Sequence, residues 1–197
     1  MSTTIPGLDP RKTALLVMDY QAGILTSLTD PDALLGPVAG AIADVRAHGG
    51  TIAYVRVAFT EDDWAAVPDT NKTFSAAARY RAMHHEDPST AIHERLAPAE
   101  GDIVVRKIRY GSMSTTDLDR KLRDRGITTL VIAGITTSGV VLSTVIDAAD
   151  RDYRLYLLSD GVADPNAEAH DVLLSQVFPS RADVIDTAEL KTLLQAS

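Results

Sequence analysis

Cysteine is absent from the 197 residues of the chain. This absence excludes disulfide frameworks, thiolate metal sites and thiol nucleophiles, because each of them needs a cysteine sulfur. Basic residues are also in short supply, with 19 Lys and Arg against 27 Asp and Glu and a net charge of −8. No basic run could follow a phosphate backbone, and we therefore expect no nucleic-acid partner.

Long apolar segments are missing as well. No apolar run approaches the roughly 20 residues that a bilayer requires, and the N-terminal MSTTIPGLDPRK has no apolar core behind a basic start. We expect a cytoplasmic protein with no membrane association. The remaining composition, 45% hydrophobic and 23% charged, is enough for one ordinary core. Residues 1–197 are therefore predicted to form a single domain.

Short, almost wholly apolar runs alternate with longer periodic segments. The runs predict strands buried on both faces at 13–18, 51–59, 102–105, 128–133, 154–158 and, more weakly, 182–185. The periodic segments predict helices at 32–48, 114–125, 138–151, 166–178 and 187–195. This alternation predicts a three-layer α/β/α fold with a mostly parallel six-stranded sheet. Residues 60–98 show no clean period, and so long a segment is typical of a lid or another functional loop.

Polar residues follow several of the predicted strands, at the edge where open parallel sheets bind ligands. They are Asp19 and Gln21, Thr60 and Glu61, Lys107 and Arg109, and the turn GITTSGVV that begins at Gly134. Ser138 is the expected N-cap of the helix after this turn, whose amides could bind an anion. Asp19 has a purely structural alternative as a helix cap or as the ion-pair partner of Lys107.

Three segments in this order carry a resemblance to a known family: LLVMDYQAGIL, VVRKIRYGSMSTTDLDRKLRDRGI and TLVIAGITTSGVVLSTVIDAADRDYRLYLLSDGVAD. Together, over about residues 12–185, they resemble the isochorismatase-like hydrolases, also called cysteine hydrolases. The resemblance implies a site made of a strand-end aspartate, a lysine and a cysteine at a helix start, which match Asp19, Lys107 and Val140. It also implies a cis Ile135–Thr136 peptide bond, oxyanion-type backbone amides at Thr136 and Val140, and a homodimer or larger homo-oligomer.

Valine at position 140 has no lone pair with which to attack a carbonyl, so acyl-enzyme chemistry on a thiol is excluded. Ser138 and Ser143 are poor substitutes because helix geometry aims them in other directions. The nicotinamidase branch of the family has Asp-x-His after its second strand, whereas the sequence here is AFTEDDW. His84 and His85 are adjacent and are expected to point apart, so we predict neither a catalytic metal nor a cofactor.

The resemblance also implies a reaction, since family members that act on isochorismate lack the cysteine and hydrolyse a vinyl ether. In this interpretation Asp19 is the general acid or base, and Lys107 orients it and holds anionic groups of a small organic substrate. Five further residues are candidates for binding that substrate: Gln21, Arg56, Arg109, Tyr110 and Thr137. The alternative is a pseudoenzyme that keeps the fold and binds a small molecule or a protein partner.

Overall fold

A computed structural model describes residues 7–196, so Ser197 and the start of the N-terminal segment discussed above lie outside the described residues. Six strands form one sheet: β1 (Thr13–Met18), β2 (Thr51–Val57), β3 (Ile103–Lys107), β4 (Thr129–Ile135), β5 (Arg154–Ala163) and β6 (Asp183–Ile185). Their order across the sheet is β3-β2-β1-β4-β5-β6, and every adjacent pair is parallel. The strand order therefore reverses between β1 and β4, and open parallel sheets bind ligands at such a point.

Eight α-helices surround the sheet in the described residues: α1 (Ala22–Leu25), α2 (Pro31–Ala47), α3 (Glu61–Ala65), α4 (Phe74–Arg79), α5 (Leu118–Asp124), α6 (Leu142–Asp150), α7 (Ala167–Val172) and α8 (Thr187–Gln195). Helices α2 and α8 pack against the face that carries Leu15 and Val17. Helices α5 and α6 pack against the other face, which carries Leu16 and Met18. Successive residues of β1 thus enter two different cores, because side chains alternate along a strand.

Most predicted elements match the structure, and α8 has the predicted bounds. The predicted helix 114–125 starts later, at Leu118, because the Thr116 hydroxyl donates to the Ser112 carbonyl and accepts from the Leu118 amide. The predicted helices 138–151 and 166–178 each contain a π-helical turn, at Thr137–Val141 and Leu173–Val177. No helix among residues 7–196 is both long enough and apolar enough to cross a membrane.

Residues 60–98 are not structureless. They contain α3, α4 and two short 3-10 turns, Pro88–Thr90 and Glu94–Leu96. Phe59, Trp64 and Phe74 form a small third core with Val57, beyond the end of β2. The segment is therefore packed onto the carboxyl edge of the sheet by its own aromatic residues, and we refer to residues 60–98 as the cap segment.

Candidate active site

A cavity of about 230 Å³ opens at the carboxyl edge of the sheet, next to the end of β1. Its walls contain four residues that the sequence placed in one site, Asp19, Lys107, Thr136 and Val140. The Ile135–Thr136 peptide bond is cis, as the resemblance implied. Gly134 allows the ends of β4 and β1 to pack closely, since a Cβ at position 134 would lie only 3.1 Å from the Cβ of Met18.

Asp19 and Lys107 form a buried ion pair. The Lys107 Nζ lies 2.8 Å from the Asp19 Oδ2, and the two side chains are only 3% and 6% exposed. The ammonium also donates to the Arg109 carbonyl oxygen at 3.1 Å. Asp19 has a left-handed backbone, with φ of 61°, a conformation that aspartate adopts more readily than most residues. The Lys107 ammonium is thus held by two oxygens, and one of them belongs to the candidate catalytic carboxylate of Asp19.

The second oxygen of Asp19 is different, because Oδ1 is buried and has no hydrogen-bond partner within residues 7–196. Burial raises the pKa of Asp19 to about 6, and this effect outweighs the opposing charge of Lys107. A carboxyl group beside a cation can donate a proton near neutral pH only if burial raises its pKa by more than the cation lowers it. Asp19 therefore lines the cavity, and its carboxyl group combines a buried oxygen that has no partner in the described residues with a protonation equilibrium close to neutrality.

The turn after β4 is anchored from outside the cavity. The Ser138 amide and hydroxyl both donate to Asp164 Oδ2, at 2.8 and 2.6 Å, so the prediction that Ser138 caps the helix is wrong. The helical residues begin at Thr137 with Thr136 at the N-cap position, so Ser138 lies inside the first turn. Thr137 is buried, with its Oγ1 2.9 Å from His170 Nδ1. Thr137 belongs to the turn itself and is not among the residues that line the cavity.

Two of the other proposed substrate-binding residues hold the cap segment. The Gln21 amide nitrogen donates to the carbonyls of Val57 and Thr90, at 2.9 and 2.8 Å, and its oxygen accepts from the Val57 amide at 2.7 Å. Arg56 donates to the carbonyls of His85 and Thr90, at 3.2 and 3.3 Å. Neither residue lines the cavity. Their polar groups instead join strand ends to the backbone of the cap segment.

Tyr110 lines the cavity, whereas its neighbour in the chain, Arg109, does not. Tyr110 is 45% exposed and packs edge-on against Phe74 with ring centroids 5.1 Å apart. A Cβ at Gly139 would lie 3.3 Å from the Tyr110 ring, so the ring touches the turn after β4. Arg109 lies outside the wall, where its guanidinium stacks over the Phe74 ring at 5.4 Å and donates to the Ile108 carbonyl.

The apolar part of the cavity wall was not predicted from the sequence. It comprises Ile24, Val57, Phe74, Met83 and Ile135. Phe74 and Met83 belong to the cap segment, where large apolar residues without a period were the available signal. Thr60 and Glu61, expected near the site, instead begin α3, and Thr60 forms a capping box with Asp63.

His84 and His85 do not point apart as expected. Their ring centroids are 4.6 Å apart, and together with Glu86 they place possible ligand atoms within 4.8 Å of one another. The expectation assumed a regular element, but His84 forms only an isolated bridge with Phe59 before the chain turns. The group lies outside the cavity wall, and the absence of a catalytic metal remains a prediction.

Comparison with known proteins gives a family-level match. Residues 13–189 match the isochorismatase domain. The chain is 32% identical over 173 residues to the uncharacterized isochorismatase family protein YwoC of Bacillus subtilis, covering 87% of this chain and 88% of that protein. It is 27% identical over 180 residues to a maleamate amidohydrolase of Pseudomonas putida, covering 89% and 83% of the two chains.

The fold match extends over nearly the whole chain. A cysteine hydrolase structure from Pseudomonas syringae superposes with a TM-score of 0.86, covering 100% of this chain and 99% of that one at 22% identity. The arrangement of strands and helices is therefore one that solved hydrolase structures share.

Proposed function

This chain belongs to the isochorismatase family, and on that premise we propose that it is a hydrolase of small organic molecules that uses Asp19 as its general acid and base. Hydrolysis of a vinyl ether is favoured over hydrolysis of an amide, and the reaction requires no cofactor or metal. The observation that carries the proposal is the position of Asp19, a cavity-lining carboxyl whose buried Oδ1 has no hydrogen-bond partner within the described residues.

The choice between the two reactions follows from what stands at position 140. Val140 lines the cavity where the family resemblance implies a cysteine, and the sequence contains no cysteine that could replace it. Amide hydrolysis through an acyl-enzyme needs a nucleophilic side chain at that point. Vinyl ether hydrolysis does not, because its first step is the addition of a proton to carbon.

In the proposed reaction, protonated Asp19 donates its proton to the vinyl carbon, and the ether oxygen stabilises the resulting cation. Water then adds to the cationic carbon, and the Asp19 carboxylate accepts the proton that the water loses. The hemiacetal collapses to a carbonyl compound and an alcohol, so that one water is consumed for each ether cleaved. Lys107 orients Asp19 through the 2.8 Å ion pair and stabilises the carboxylate between the two proton transfers.

A panel of vinyl ethers, esters, amides and imides would test this proposal with the wild-type protein and Asp19→Asn. We expect vinyl ethers to be the best substrates and Asp19→Asn to lower kcat by roughly 10²- to 10⁴-fold, the usual contribution of a positioned acid or base. Asp63→Asn is the matched control, since Asp63 also pairs with a cation of β3 but lies outside the cavity wall.

The pH profile is a second readout that does not depend on how well a variant folds. If Asp19 donates its proton in the slow step, kcat should fall about tenfold per pH unit above about 6. Faster turnover of amides than of vinyl ethers would contradict the preferred reaction. A wild-type protein that binds ligands but turns over nothing in the panel would favour the pseudoenzyme alternative.

A further inference from the structure

The cavity wall carries few charged side chains. Within the described residues the wall has two charged side chains, Asp19 and Lys107, and their charges are paired at 2.8 Å. Thr136 and Tyr110 are the two uncharged lining residues with a polar side-chain group, in both cases a hydroxyl. The rest of the wall is apolar and consists of Ile24, Val57, Phe74, Met83, Ile135 and Val140.

The nearby arginines do not add a positive charge to this wall. Arg56 is directed to the carbonyls of His85 and Thr90, and Arg109 is not a lining residue: its guanidinium lies over the Phe74 ring, 5.4 Å from the centroid, and donates to the Ile108 carbonyl. Arg106 pairs with Asp63 at 2.5 Å on the other side of β3. A carboxylate entering the cavity would therefore find one ammonium, already shared between Asp19 and the Arg109 carbonyl.

We propose that this cavity selects small uncharged molecules and rejects carboxylates of the same shape. The inference rests on the proposed function only in taking the cavity as the substrate site. An entering carboxylate would lose its hydration among apolar side chains, and it would lie beside the carboxylate of Asp19 with no cation of its own. An uncharged molecule loses far less on entry, and a hydrogen-bond donor on it can bind the Asp19 carboxylate on the wall.

The size of the cavity further limits the class of substrate. The cavity volume of about 230 Å³ lies below the roughly 300–1,000 Å³ of most ligand pockets. That is room for one ring or a short branched chain with one polar substituent. The substrate class is therefore a small, mainly apolar molecule with a single neutral polar function, such as an enol ether without a carboxylate.

Benzamide and benzoate form a suitable pair of probes, because they have the same shape and number of non-hydrogen atoms and differ in charge. Binding to the full chain at pH 8 would be measured by calorimetry and by ligand-detected NMR. We expect benzamide to bind at least about tenfold more tightly than benzoate, since burial of an uncompensated charge is strongly unfavourable. Equal affinities, tighter binding of benzoate, or no binding of either compound would overturn the inference.

A charge introduced into the wall should change the preference. Met83 lines the cavity from the cap segment and is only half-buried, so a lysine there could reach the cavity while keeping part of its stem exposed. Met83→Lys should improve the affinity for benzoate relative to benzamide by about tenfold or more, whereas the matched Met83→Leu should leave the ratio unchanged. An unchanged ratio in Met83→Lys would count against the inference.

Binding and turnover together distinguish this inference from the proposed function. Selective binding of benzamide without any turnover in the substrate panel would leave the selectivity standing and refute the hydrolase. Efficient hydrolysis of carboxylated and uncharged vinyl ethers alike would support the hydrolase and refute the selectivity.

Discussion

Lys107 and Arg106 are neighbours on β3, and each pairs with a carboxylate, but the two ion pairs lie in very different surroundings. Lys107 and Asp19 are 3% and 6% exposed, whereas Arg106 and Asp63 are 33% and 18% exposed. Alternation along the strand sends the two cations to opposite faces of the sheet. One pair thus borders the cavity, and the other fixes the start of α3.

The pKa values of the two carboxyls shift in opposite directions. Burial raises the pKa of Asp19 to about 6 despite Lys107. Partial burial also acts to raise the pKa of Asp63, but hydrogen bonds from the amide and hydroxyl of Thr60 and from Arg106 lower it overall. A paired cation therefore does not by itself decide whether a carboxyl can hold a proton near neutral pH. Burial combined with few hydrogen bonds decides it here.

The largest expected effect comes from breaking the buried pair. Lys107→Met should lower the free energy of unfolding at pH 8 by about 3–5 kcal/mol, because it leaves the Asp19 charge buried without a partner. The double variant Asp19→Asn/Lys107→Met should recover most of that loss, since neither charge remains. Urea denaturation of the single and double variants measures both quantities. A loss below about 1 kcal/mol in Lys107→Met would show that the pair behaves like an exposed one.

The titration of Asp19 should itself change stability with pH. Its pKa is about 6 in the folded protein against an ordinary value of 3.8, so the folded state binds the proton more tightly. The resulting stabilisation is fully present below pH 3.8 and is lost as the pH rises through about 6, for a total of about 3 kcal/mol. The contribution of Asp63 to stability depends on pH in the opposite direction, because its lowered pKa gives stability that is lost as the pH falls.

NMR titration of the Asp19 carboxyl carbon checks the first of these shifts directly. A midpoint near 6 is expected. A midpoint below that of a free aspartate, about 3.9, would make Asp19 an ionised structural partner and would end its role as a general acid. Unfolding measurements from pH 4 to pH 8 on the wild type and on Asp19→Asn/Lys107→Met would then show whether the stability follows the same group.

The strands and part of the site could be predicted from the sequence. Buried parallel strands are almost continuous apolar runs, so β1 to β6 and the residues at their ends were visible without the structure. The resemblance brought Asp19, Lys107, Thr136 and Val140 to one site. Gln21 and Arg56 were expected to bind substrate, and what the sequence did not predict is that they donate to the backbone carbonyls of Val57, His85 and Thr90. Those contacts depend on how the cap segment folds back, and residue type and spacing do not encode them locally.

Val140→Cys would place a thiol on the cavity wall where the family resemblance implies one. The smaller side chain should cost about 1 kcal/mol of stability, because Val140 is 1% exposed and its removed methyl leaves a small void. The nearby Lys107 ammonium should favour the thiolate and lower the pKa of the new thiol below about 8.5.

The rate of alkylation by iodoacetamide, followed by mass spectrometry, measures this reactivity. The thiol should react faster than a cysteine placed at an exposed control position such as Ser175, and Asp19→Asn in the same background should change its rate. An inert thiol in the folded protein would mean that position 140 is not accessible from the cavity.

The smallest effect is expected at the second ion pair. Asp63→Asn removes the charge partner of Arg106 but keeps an acceptor for the Thr60 amide, and Arg106 still donates to the Ala58 carbonyl at 2.8 Å. Because this pair is partly exposed, water can solvate the guanidinium, and the loss should be at most about 1 kcal/mol. Urea denaturation at pH 8 should show that loss, while benzamide affinity stays unchanged. If Asp63→Asn destabilised the protein as much as Lys107→Met, the cap segment would be as tightly coupled to the fold as the buried pair, and exposure would not be what separates them.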